Sequence, residues 1–83
     1  MNIVITIRAK KDLEKLDKET RKRVYIALEN LINGQRVDIK KLRGSENYRI
    51  RVGDYRVIIE ISRQAVTVYT LRVLHRGEVY DKQ

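Results

Sequence analysis

The run from Tyr48 to Val73 leaves little choice of architecture, because it holds strand-like segments joined by connections too short for anything but hairpins. Tyr48 to Val52, Tyr55 to Ile61 and Val66 to Val73 are rich in β-branched and aromatic residues, with apolar and polar positions alternating. Gly53-Asp54 joins the first pair and Ser62 to Gln64 the second. A parallel crossover needs roughly a dozen residues or more, so consecutive segments here must pair antiparallel.

The residues upstream add a strand and two helices. Asn2 to Ile7 is rich in isoleucine and valine and reads as a strand with both faces partly covered. Ala9, Leu13 and Leu16 then recur at helical spacing, giving a short amphipathic helix that ends near Asp17. Asp17 is placed to cap a second helix by accepting from the free amides of its first turn, and Glu19 suits the same positive end. Val24, Ala27, Leu28 and Leu31 form the apolar stripe of that helix. Asn33-Gly34 ends it, since both residues tolerate the left-handed conformation. Tyr25, Ile26 and Ile32 widen the apolar surface, which reads first as a broad core face and second as a groove for a partner. Gln35 to Ser45 reads as a basic connector carrying Arg36, Lys40, Lys41 and Arg43, anchored by Ile39 and Leu42. The order strand, helix, helix, strand, strand, strand predicts an α+β fold in one domain over residues 1–83. Its mainly antiparallel sheet should carry both helices on one face.

Arginines are built into the middle of this sheet. Side chains alternate along a strand, so Tyr48, Ile50 and Val52 point one way and Arg49 and Arg51 the other. In the next strand Tyr55, Val57, Ile59 and Ile61 take the apolar side, leaving Arg56 with Ile58 and Glu60. In the last strand Arg72 shares parity with Val68 and Thr70. One face must bury itself against the helices, so the opposite, open face should collect arginines from adjacent strands. Polar sheet faces laced by Arg–Glu pairs are ordinary, yet the acids on this face are few, and Glu60 is the only one in the strands themselves. Guanidinium groups that converge without carboxylates repel one another unless an anion arrives, and phosphate matches their planar fork.

Composition narrows the partner and excludes several chemistries. A formal net charge of +8 on 83 residues implies a polyanionic partner, with nucleic acid foremost. With no cysteine and the single histidine His75, disulfides, thiolate metal sites and the usual zinc ligand sets are excluded, so neither a metal nor a cofactor is expected. Phosphate-binding glycine loops and a nucleophile elbow are missing. The start MNIVITIRAKK is too short an apolar run for a signal peptide and no other run approaches membrane-spanning length, so a soluble, cytoplasmic protein with no membrane partner is expected.

The stretches YRIRVGDYRVIIEI and LRVLHRGEVYDK together resemble the signature of the RelE/ParE toxin superfamily of type II toxin–antitoxin systems, and the similarity runs over almost the whole chain. The resemblance implies a strand–helix–helix–three-strand fold and a cognate acidic, RelB-like antitoxin that wraps the toxin. RelE-like members cleave messenger RNA on the ribosome, whereas ParE-like members poison DNA gyrase. The RelE-like functional set is basic residues on the middle strands, an arginine after the GDY-type turn, an arginine near the end of the last strand and a tyrosine close to the C-terminus. Arg49 and Arg51, Arg56, Arg76 and Tyr80 stand at the matching positions, which implies the RNase branch.

In some RelE-like toxins lysines replace Arg49 and Arg51, one of them with a proton-transfer role. Arginine stays protonated, so that role passes to Tyr80, in the field of the neighbouring guanidinium groups, or to His75, with Tyr80 preferred. The expected catalytic set is Arg56, Arg76, Tyr80 and His75. The expected RNA-binding set is Arg49, Arg51, Arg72, Lys40, Lys41 and Arg43, the connector residues docking on the ribosome. The alternatives are a gyrase inhibitor and an inactive relative that only binds antitoxin.

Overall fold

The computed structural model describes residues 1–80, so the last three residues of the expected domain lie outside the described residues. The chain runs β1 (Asn2–Ile5), α1 (Ile7–Glu14), α2 (Lys18–Ile32), β2 (Ile39–Lys41), β3 (Tyr48–Val52), β4 (Tyr55–Ser62) and β5 (Thr67–His75). These strands form one five-stranded sheet in the order β1-β5-β4-β3-β2. β1 lies parallel to β5, and all other neighbours are antiparallel. The fold is thus the expected α+β arrangement, with the hairpins in place. The connector, however, contributes an additional short strand, β2, which pairs Ile39 with Ile50 and Lys41 with Tyr48. No described helix is long and apolar enough to cross a membrane.

Local chemistry sets the helix ends. Thr6 caps α1 by accepting from the Ala9 amide at 3.2 Å, and its hydroxyl donates to the Leu71 carbonyl of β5 at 3.2 Å. Asp17 caps α2 as expected, its carboxylate accepting from the Thr20 amide at 3.0 Å. The bonds from Thr20 hold its carboxyl below the usual aspartate range. Gln35 N–H donates to the Asn30 carbonyl and Gly34 N–H to that of Leu31, with Gly34 at φ +73°. That pairing closes α2 with a left-handed glycine, as the Asn33-Gly34 pair implies. Arg21 of α2 donates to the carbonyls of Leu13 and Leu16, satisfying the end of α1 and clamping the two helices together.

The core lies between the helices and one sheet face. Leu13 and Leu16 of the α1 side and Val24 and Leu28 of α2 pack with Ile50, Val52, Val57, Ile59, Val68 and Val73. The apolar parity read from β3 and β4 is therefore the buried one.

The β4–β5 turn is strained at Val66, an exposed β-branched residue at φ +50°. Left-handed backbone costs an L-residue with a Cβ about 1–2 kcal/mol, and asparagine bears it best among the non-glycine residues. Val66→Asn is expected to raise the urea midpoint, by up to about 1 kcal/mol of stability, with an unchanged denaturant slope.

Candidate active site

Strand register builds the face opposite the helices row by row. Lys40 stands opposite Arg49, Arg49 opposite Ile58, and Ile58 opposite Arg72. In the next row Arg51 stands opposite Arg56, and Arg56 opposite Leu74. Arg72 reaches this face only because the β4–β5 register shifts between Ile58 and Ile59, leaving Leu71 as an extra residue in β5. Without that bulge Arg72 would share the core face with Val68 and Thr70.

The face is less open than expected, since Ile58 and Leu74 are fully buried within it. After β5 the chain turns back over the sheet. Glu78 closes the turn, its carboxylate accepting from His75 N–H and its own N–H donating to the His75 carbonyl, both at 2.9 Å. The Glu78 carbonyl accepts from Nη2 of Arg56. Farther along, the Tyr80 hydroxyl accepts from Nδ2 of Asn47 at 3.4 Å.

Between this returning segment and the loop Leu42 to Ser45 lies a cleft of about 610 Å³, lined by Arg43, Arg56, Arg76 and Tyr80 among others. Among the described residues its single lining carboxylate, Glu78, is engaged by the His75 amide. Nε of Arg56 is buried with no hydrogen-bond partner among the described residues. The side chain of Arg76 is 72% exposed, and its one ion pair among the described residues is a loose one, 4.0 Å from Asp54. In water-filled surroundings so loose a pair is worth little, and the guanidinium is free to take an anion. The cleft therefore presents guanidinium groups and one phenol, a set able to bind a phosphate and exchange a proton beside it.

Other residues expected at the site are elsewhere. Arg49 is tied to the β2 side by Asp38, whose carboxylate and carbonyl accept from Nη1 at 3.0 and 3.1 Å. Arg51 is exposed and unpaired by any described carboxylate, directly across from Arg56. Lys40 and Lys41 lie on the edge strand β2, Lys41 within 3.9 Å of Glu46. Lysines on an edge also deter strand-to-strand aggregation, so their structural use is plain.

Two of the expected site residues lie away from the cleft. Arg72, expected to contact RNA, is paired with Asp12 of α1 through Nε at 2.8 Å and Nη2 at 3.2 Å. The same carboxylate accepts from Val73 N–H at 2.8 Å. β1 ends opposite Thr70, so the β5 edge beyond it has no strand partner, and Asp12 fills that place. Burial opposes ionisation of Asp12, but the Arg72 guanidinium and the Val73 amide outweigh it and hold the carboxyl below its usual range. The Asp12 contact in turn raises the pKa of Arg72. His75 stands opposite Tyr55 on the same face as Val57 and Val73, its ring edge-on to Tyr55 at 5.3 Å. It points away from the cleft, which leaves Tyr80 as the proton-transfer candidate that lines it. Among the described residues no cluster of His, Asp and Glu could hold a metal ion.

The fold and cleft define a small basic α+β protein, with two helices on one sheet face and an arginine-lined cleft bearing a C-terminal tyrosine on the other. The family model for the ParE toxin of the type II toxin–antitoxin system parDE matches residues 3–80. Toxin RelE3 of Methanocaldococcus jannaschii is 43% identical over 77 residues, covering 86% of this chain and 85% of that protein. The toxin fold seen in the RelB–RelE complex from Methanococcus jannaschii superposes with a TM-score of 0.75 at 36% identity, covering 88% of this chain and 89% of that one. The RelBE2 complex from Mycobacterium tuberculosis gives 0.78 at 30% identity, with 93% and 92% covered. This chain belongs to the RelE/ParE superfamily and is a type II toxin of the RelE family.

Sequence reasoning missed Asp12, Asn47 and Glu78. Asp12 and Glu78 look like ordinary surface acids in the sequence, and nothing local marks their partners. Asn47 carried one readable signal: it is a polar residue on the Arg49 side of a strand entrance, next to the Ser45 turn.

Proposed function

We propose that this protein is an endoribonuclease that cleaves messenger RNA on the ribosome, and that the shared cleft of Arg56, Arg76 and Tyr80 is its active site. The observation that carries this reading is the convergence of those side chains, drawn from β4, the β5 end and the C-terminal return, around one cavity. The substrate's own 2′-hydroxyl is the nucleophile. Tyr80 takes its proton, the 2′-oxygen forms a bond to phosphorus, and the bond to the 5′-oxygen breaks. The leaving oxygen collects a proton from solvent, giving a 2′,3′-cyclic phosphate and a 5′-hydroxyl. Arg56 and Arg76 stabilise the charge that builds on the phosphoryl oxygens, which is where preorganised donors accelerate most. Arg51 orients the neighbouring backbone, with Arg49 held beside it by Asp38. Arg43, Lys40 and Lys41 dock on ribosomal RNA by sequence-independent contacts. Arg72 has no part, because its guanidinium is committed to Asp12.

The partner fits the same reading. A RelB-like antitoxin, as in the named RelB–RelE complexes, would lay an amphipathic helix on the apolar surface around Tyr25 and Ile26, which are 42% and 46% exposed, and bring acidic residues to the arginine cleft.

The ParE name of the matching family model favours a second reading, inhibition of DNA gyrase. One preparation decides between them. Incubated with ribosomes carrying end-labelled message, the purified protein should yield fragments ending in a 2′,3′-cyclic phosphate, while gyrase supercoils plasmid unimpeded in its presence. Intact message together with blocked supercoiling would transfer the assignment to gyrase.

A further inference from the structure

We infer that Asn47 is a positioning residue for proton transfer at Tyr80, an inference that rests on the reading of Tyr80 as the proton acceptor. Asn47 is only 6% exposed, one of few buried polar residues in the described chain. Its backbone closes the neck of the loop that walls the cleft: its N–H donates to Oγ of Ser45 and its carbonyl accepts from Leu42 N–H, both at 2.9 Å. Any residue type could make those backbone bonds, so they do not explain an amide side chain. The side chain itself reaches across 33 positions of sequence and donates from Nδ2 to the Tyr80 hydroxyl at 3.4 Å.

Burying an amide is unfavourable unless its hydrogen bonds are made, and the Tyr80 contact is the bond the Asn47 side chain makes to another side chain. The chemistry of that bond suits the proposed step. Nδ2 can only donate, so the phenolic oxygen is the acceptor, and Tyr80 lines the same cleft as Arg56 and Arg76. A donor aimed at that oxygen stabilises it in the anionic form that must receive the 2′-hydroxyl proton. The 3.4 Å separation is long, as catalytic hydrogen bonds in substrate-free enzymes often are before they tighten around bound substrate. Because the same residue also braces the Leu42–Ser45 wall, it couples the position of Tyr80 to the wall of the cleft it faces.

The test is single-turnover cleavage on saturating ribosomes for Asn47→Asp and Asn47→Ala, each made in the parent and in a Tyr80→Phe background. Asp keeps the size and places an acceptor where the donor was; Ala keeps the backbone bonds and removes the side chain, and serves should Asp fail to fold. Each is expected to lower the rate about 10- to 100-fold in the parent with ribosome affinity unchanged, and to cause no further loss once Tyr80 is Phe. Equal losses in both backgrounds would show that Asn47 only shapes the loop and would overturn the inference. So would parent-like rates in both variants. A Tyr80→Phe protein that cleaves at the parent rate removes the Tyr80 reading itself and the inference with it, an outcome distinguishable because it needs no Asn47 variant.

Discussion

Arg76→Ala is expected to lower the single-turnover rate of message cleavage by about two to three orders of magnitude while leaving folding and ribosome affinity nearly intact. The magnitude follows from removing one preorganised charge donor from the position where negative charge develops. The cleanness of the test follows from the structure. Arg76 is largely exposed, and among the described residues its one ion pair is the loose 4.0 Å contact with Asp54. Its backbone N–H, bonded to the Asp54 carbonyl at 2.8 Å, is untouched by the substitution. Arg56→Ala would be harder to read, because that side chain also holds the Glu78 carbonyl and hence the returning segment. Replacing Lys40 and Lys41 together with alanine should do the reverse of Arg76→Ala: weaker ribosome binding, a shallower salt dependence and near-normal cleavage at saturation. Both side chains stand on the edge strand and line no part of the cleft. If Arg76→Ala cleaves at the parent rate, the cleft is not the catalytic site.

Asp12→Ala should remove about 2–3 kcal/mol of stability, read as a fall in the urea midpoint, although the residue lies outside the cleft. The loss has two parts: an Arg72 guanidinium, 20% exposed, left without its carboxylate, and a Val73 N–H left at a sheet edge where no strand covers it. For a small domain, whose whole stability is about 5–15 kcal/mol, that is a large share. The contribution is also pH-dependent. The folded protein holds the Asp12 carboxyl below its ordinary value, so the stabilisation is fully present above about pH 4 and is lost as the pH falls through the folded value. The stability difference between the parent and Asp12→Asn should therefore shrink on acidification from about pH 6 to about pH 3. A difference that stays constant over that interval would mean the ion pair contributes no charge-dependent stability.

Local chemistry was enough to read most of the fold. The hairpins follow from the length of their connections, the ends of α2 from Asp17 and the Asn33-Gly34 pair, and the buried faces of β3 and β4 from two-residue alternation. Arg56, Arg76 and Tyr80 were singled out by the resemblance to the RelE-like functional set, and they do line one cleft.

What remained closed to the sequence depends on contacts between distant segments. β2 is too short for alternation to register, and it exists because β3 offers it an edge. The bulge at Leu71 reverses the parity of everything after it, and a period-2 reading has no means to place an extra residue. Downstream of that bulge, Arg72 arrives beside an acid 60 positions earlier in the chain, and His75 lands on the helix side, away from the cleft. The returning segment that walls one side of the cleft is held by Arg56, Glu78, Asn47 and Tyr80. Residue types, together with the family resemblance, marked which side chains were candidates for the site. Tertiary structure alone decided which of them meet, because an ion pair, a register shift and a cleft are each made by groups that have no neighbourhood in sequence.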